Sequence, residues 1–194
     1  RLKINMVWIL LLLIAVSASL HIRAEYKDLP QHVYVFKPLT MAFVITLAFL
    51  HPLSTSSTYR LLIVMGLLFS LAGDIFLMLP KDSFLQGLVS FLIAHLFYIA
   101  AFSQGSQLTV LTSYLPFIVY GGVMYKILYP SLGKFKIPVI IYMLVIVSMG
   151  CTALSHWISA HNLPSLLGFI GSLLFIASDS ILAMNKFKEP FHRA

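Results

Sequence analysis

The sequence predicts an all-α membrane protein: seven transmembrane helices in this chain, an eighth expected beyond it, and two parallel four-helix repeats around a central pocket. Three observations carry the prediction. The chain is 60% hydrophobic and 10% charged, with a mean hydropathy of +0.95, whereas an ordinary soluble domain carries roughly 25% charged residues. Long apolar runs recur at short intervals. One phrase containing an aspartate is written twice, as GLLFSLAGDIFLMLPK (Gly66 to Lys81) and GSLLFIASDSILAMNK (Gly171 to Lys186).

The runs, in order, are Ile4 to Leu20, Val35 to Leu50, Tyr59 to Leu79, Phe84 to Phe102, Val110 to Tyr129, Ile137 to Leu154 and Ser165 to Ala183. Most approach the roughly 20 residues that a helix needs to cross about 30 Å of hydrocarbon. They do not alternate apolar with polar residues as barrel strands do, which leaves helices as the spanning structure. The first run is basic-flanked but has no small-residue cleavage site before the polar loop, so it reads as a span and not as a signal peptide. Phe36-Lys37-Pro38 opens the second, and Phe135-Lys136-Ile137-Pro138 echoes it at the sixth.

Charge sets the orientation. Arg1, Lys3 and Arg60 fall on one side, while Arg23, Lys27, Lys37, Lys81, Lys126, Lys134, Lys136, Lys186, Lys188 and Arg193 fall on the other. The basic excess places that second face in the cytoplasm. A net charge of +7 is thereby explained without nucleic acid as a partner. Cys151, the single cysteine, excludes an intramolecular disulfide and a cysteine metal cage. No HExxH, GxSxG or glycine-rich phosphate loop occurs, and no metal or cofactor is expected. Trp8, Trp157, Tyr114 and Tyr129 near span ends read as interface anchors.

Superposing Asp74 on Asp179 sets an offset of 105 positions, which also pairs Gly66 with Gly171, Leu68 with Leu173, Ala72 with Ala177, Leu77 with Leu182 and Lys81 with Lys186. No linker separates domains, so residues 1–194 form one membrane domain with repeat halves of about 1–105 and 106–194. An eighth helix matching the fourth would complete the second half beyond Ala194. Asp74 and Asp179 each stand six residues before a helix-ending Pro80 or Asn185, about 9 Å from the cytoplasmic ends. Gly73, Ser70 and Ser178 beside them would permit close helix approach.

A charge at the bilayer centre costs roughly 3 kcal/mol on insertion scales. Two such charges in matching contexts point to acid and base catalysis, since burial and mutual repulsion separate the titrations of paired carboxyl groups. Caps to neighbouring helices, or an ion or proton pathway, are the alternatives. His95 and Tyr98, three apart on the fourth span, share a helix face. His95 could line a pocket or bond a neighbouring helix. Lys37, Asn185 and Lys186 at the cytoplasmic ends could hold a lipid phosphate, or the lysines could snorkel.

FKPLT (Phe36 to Thr40), SLAGDIFLMLP (Ser70 to Pro80), FLQGLVSFLIAHLFYIAAF (Phe84 to Phe102) and FIASDSILAMNKF (Phe175 to Phe187) together resemble the YhhN-like lysoplasmalogenase family of integral membrane proteins. The resemblance implies eight spans and hydrolysis of the vinyl-ether bond of a lysoplasmalogen to a fatty aldehyde and glycerophospho-ethanolamine or glycerophospho-choline. It carries over Asp74 and Asp179 as catalytic residues, and His95, Tyr98, Asn185, Lys186 and Lys37 as substrate-binding ones. It implies a lysophospholipid partner within a bacterial cell membrane or the endoplasmic reticulum, with the reactive layer toward the cytoplasm. The competing reading is a small ion-coupled transporter, which parallel repeats and intramembrane acids also suit.

Overall fold

Among the described residues, turn and cap chemistry cut the apolar sequence into seven helices. In the computed structural model, which describes residues 2–50, 56–79, 83–106 and 114–188, α1 covers Leu2–Tyr26 and α2 covers Pro30–Leu50. Asp28 between them takes left-handed backbone (φ 51°), a conformation that aspartate tolerates better than most side chains. Helix α3 (Ser57–Met78) starts where Ser56 Oγ accepts from the Tyr59 backbone N–H at 3.1 Å, an N-cap. Helix α4 is Phe84–Phe102 and α5 is Leu115–Leu128. Two short 3-10 turns (Tyr129–Ser131 and Gly133–Phe135) lead into α6 (Lys136–Ala160), and α7 is Leu163–Phe187. Pro80, Lys81, Arg1, His51, His192, Arg193 and the stretch of the expected fifth span from Val110 to Ser113 lie outside the described residues.

Among the described residues six helices are long and apolar enough to cross a membrane: all but α5. Six of the seven expected spans are thus seen among the described residues, and the start of the expected fifth lies outside them. Helix α5 has 14 described residues, about 21 Å of axis against a hydrocarbon layer of about 30 Å. One expectation is corrected. Phe36-Lys37-Pro38 does not open α2, which begins at Pro30 and holds Pro38 in its interior. Proline at a helix start is expected because its missing N–H has no intrahelical partner there. Lys37 consequently stands about two turns inside the helix.

Outward faces are apolar. Trp8, Leu12, Leu61, Leu144, Leu167 and Leu174 are each more than half exposed, a surface suited to hydrocarbon and not to water. The chain is a multi-pass membrane protein. Its helices gather into two compact units, residues up to Phe97 and from Tyr98 onward.

In the first unit α1 and α2 are joined by polar side chains: the Thr40 hydroxyl lies 2.8 Å from Ser17 Oγ and 2.7 Å from the Phe36 carbonyl oxygen. Helices α3 and α4 cross closely at two glycines. A Cβ on Gly73 would lie 2.7 Å from ring carbons of Phe91, and one on Gly87 would lie 2.9 Å from Leu77 and 3.4 Å from the Gly73 carbonyl oxygen. Phe69 stacks on Phe97 with ring centroids 5.6 Å apart.

In the second unit buried Leu128, Leu132 and Val139 pack with Met143, Met184 and Phe187, tying the end of α7 to the turn between α5 and α6. Trp157 stacks on Phe169 at 5.4 Å, and the Tyr114 hydroxyl lies 2.7 Å from Ser155 Oγ. These two aromatics thus make helix-to-helix contacts within the unit. His161, in left-handed backbone at φ 47°, ends α6. Asn162 caps α7 by accepting from the Ser165 N–H at 2.9 Å.

Candidate functional site

Each aspartate meets a polar side chain from the helix that precedes its own. In the first unit Lys37 Nζ of α2 lies 3.0 Å from Asp74 Oδ1 of α3. The inward position of Lys37 brings this pair together, because a lysine at the mouth of α2 would stand about 10 Å farther along the axis. The ammonium and carboxylate offset each other's charge in a layer where a lone charge is costly. Their side chains are 30% and 18% exposed, so the pair sits at the margin of the unit and not in its core.

In the second unit the Tyr142 hydroxyl of α6 donates to Asp179 Oδ2 of α7. The tight turn at His161 and Asn162 makes α6 and α7 antiparallel neighbours. Tyr142 stands about 27 Å before the end of α6 and Asp179 about 24 Å beyond the start of α7 at 1.5 Å per residue, which brings the two to one level. Tyr142 is buried. It was not singled out from the sequence, although a signal was present: the offset of 105 that superposes Asp74 on Asp179 also superposes Lys37 on Tyr142. The FKP and FKIP echo has a different offset and concealed this register.

The remaining candidates divide between the units. His95 is fully buried on α4 within the first. Tyr98, one turn later, belongs to the second, where its ring lies 6.4 Å from that of Phe175, one helical turn before Asp179. Asn185 is half-buried and Lys186 exposed in the last turn of α7, about 9 and 10 Å along the axis beyond Asp179. The expectation that both aspartates stand equally far from their helix ends is corrected. Helix α3 ends at Met78 and α7 continues through Asn185 to Phe187, giving about 6 Å for Asp74 and about 12 Å for Asp179.

Of the small neighbours, Gly73 and Ser70 are buried and Ser178 is exposed, so only the first two serve close packing. Gly73→Ala is expected to lower stability by about 1–3 kcal/mol, because Phe91 is itself buried and has little room to yield. Gly171→Ala, where an added Cβ meets nothing within 4 Å, serves as the control. Thermal unfolding in detergent measures both, and equal midpoints would contradict the crossing described above.

A groove of about 410 Å³ opens between α3 and α4, lined by Phe69, Phe76, Leu85, Val89 and Ile93 with Gln86 and Ser90. Neither Asp74 nor His95 lines it. Its walls suit a hydrocarbon chain better than a polar reactant. Among the described residues no three His, Cys, Asp or Glu side chains gather as a metal site would require.

Comparison with known proteins supplies the family. The profile of the YhhN family matches residues 32–194. An uncharacterized membrane protein YhhN of Escherichia coli O6:H1 is 30% identical over 169 residues, 85% of this chain and 79% of that protein. Human lysoplasmalogenase TMEM86A is 37% identical over 139 residues, 68% of this chain and 57% of its own length. A lysoplasmalogenase of Mycobacterium bovis is 30% identical over 165 residues, 78% of this chain and 59% of that protein. The chain thus spans somewhat over half the length of the relatives named as lysoplasmalogenases. No solved structure matches. The twice-written aspartate phrase, the apolar helices that carry it and the match over residues 32–194 agree, and the chain belongs to the YhhN family.

Proposed function

We propose that this protein is a lysoplasmalogenase, hydrolysing the vinyl-ether bond of a lysophospholipid within the membrane. The observation that carries the proposal is the pair of intramembrane aspartates, each met by a polar side chain of the preceding helix. The names borne by the human and mycobacterial relatives point to the same reaction. They favour a hydrolase over an ion-coupled carrier.

A vinyl ether is cleaved when an acid protonates its outer carbon, leaving an oxocarbenium ion on the carbon bonded to oxygen. Water adds to that carbon and loses a proton to a base. The resulting hemiacetal collapses, the C–O bond to glycerol breaks, and fatty aldehyde and the glycerophospho-alcohol separate. One proton donor and one carboxylate suffice. In this reading Asp74 and Asp179 fill those two roles. His95 and Tyr98 orient substrate or water, Asn185 and Lys186 hold the headgroup phosphate, and Lys37 acts beside Asp74. The repeat of two parallel halves, with the aspartates toward the cytoplasmic side, belongs to the same proposal.

Purified protein supplied with a lysoplasmalogen is expected to release fatty aldehyde and glycerophospho-alcohol in equal amounts. The acyl-linked lysophospholipid of the same headgroup, which has no vinyl ether to protonate, is expected to give neither. Absence of aldehyde would overturn the reading. Solute flux across liposomes without product would support the carrier instead.

A further inference from the structure

The two donor–aspartate pairs obey one register. Lys37 and Asp74 are 37 positions apart, and so are Tyr142 and Asp179. Each joins the second to the third helix of its group: α2 to α3 in the first unit and α6 to α7 in the second. The same offset that maps one aspartate phrase onto the other maps the first donor onto the second. A chance hydrogen bond on α6 has no reason to fall at that position. Lys37 was proposed from sequence as a phosphate ligand, and its contact in the structure is with Asp74. Its counterpart in the other unit is a phenol.

We propose that Tyr142 is the positioning residue of Asp179, fixing the orientation of its carboxyl group toward the reacting atoms, as Lys37 does for Asp74. The proposal deepens the lysoplasmalogenase reading and rests on it for the reaction concerned. Donation to Oδ2 restricts rotation of the carboxyl group. Because Tyr142 is buried, its ring is held by packing and its hydroxyl has a defined direction. The two units then differ in one chemical respect: the donor is a cation in the first and a neutral hydroxyl in the second. A phenol holds a carboxyl group without adding a formal charge to the apolar layer.

The test is Tyr142→Phe, which keeps the ring and removes only the hydroxyl. Aldehyde release is expected to fall about 10- to 100-fold in kcat, by analogy with the loss seen when a group that orients a metal's ligand is removed, with KM changed by less than about threefold. The pH profile of kcat is expected to move. A purely structural tyrosine would leave that profile in place. A second measurement does not depend on activity: in the infrared spectrum of reconstituted protein, the carboxyl band abolished by Asp179→Asn is expected to shift in Tyr142→Phe. An unmoved band, or wild-type kcat with an unmoved pH profile, would overturn the proposal. If wild-type protein releases no aldehyde, the lysoplasmalogenase reading alone fails, and the infrared band still decides whether Tyr142 holds Asp179.

Discussion

Asp74→Asn and Asp179→Asn are each expected to lower aldehyde release from lysoplasmalogen by roughly 10²- to 10⁴-fold, the contribution of a positioned acid or base. Asparagine keeps the size of the side chain and can neither donate a carboxylic proton nor carry the charge that stabilises an oxocarbenium ion. The effect should fall mainly on kcat, since neither change removes a group assigned to the headgroup. Activity within about threefold of wild type in either variant would remove that aspartate from the mechanism. A loss confined to one variant would mean that a single carboxyl group suffices for both proton transfers.

Lys37→Met is expected to destabilise the protein by up to about 3 kcal/mol, because it leaves the Asp74 carboxylate without its counter-charge in an apolar layer. The double variant Lys37→Met/Asp74→Asn removes both charges and should recover most of that loss, while activity stays at the level of Asp74→Asn. Unfolding of the four proteins of this cycle in detergent gives the coupling directly. Additive effects would mean that the 3.0 Å contact contributes nothing. The cycle also separates folding from chemistry, since a double variant that is stable and inactive excludes misfolding as the cause of lost activity.

Most of the helical plan was legible because hydrocarbon imposes a one-dimensional rule: a run must be apolar and long enough to satisfy its own backbone across the layer. The rule is less strict about where a helix begins. The apolar run of α2 starts at Val35, yet the helix starts at Pro30, because a helix extends past the hydrocarbon wherever local caps allow. That difference of more than one turn moved Lys37 from a loop mouth to the side of Asp74. It also explains why FKP and FKIP, alike as words, occupy unlike places. One lies inside α2, whereas the other ends a 3-10 turn and enters α6.

The candidate site was legible in its acids and illegible in their partners. An aspartate in an apolar run is conspicuous because its cost is paid wherever it points. A tyrosine there is ordinary, and only packing reveals whether its hydroxyl finds a carboxylate. By itself the sequence determined that the chain spans the membrane repeatedly, that Asp74 and Asp179 are its exceptional residues and that their surroundings are duplicated. The tertiary structure decided that Lys37 belongs to Asp74 and Tyr142 to Asp179. The physical reason is that hydropathy is additive along a chain, whereas a hydrogen bond between helices depends on register and rotation that two segments fix only together.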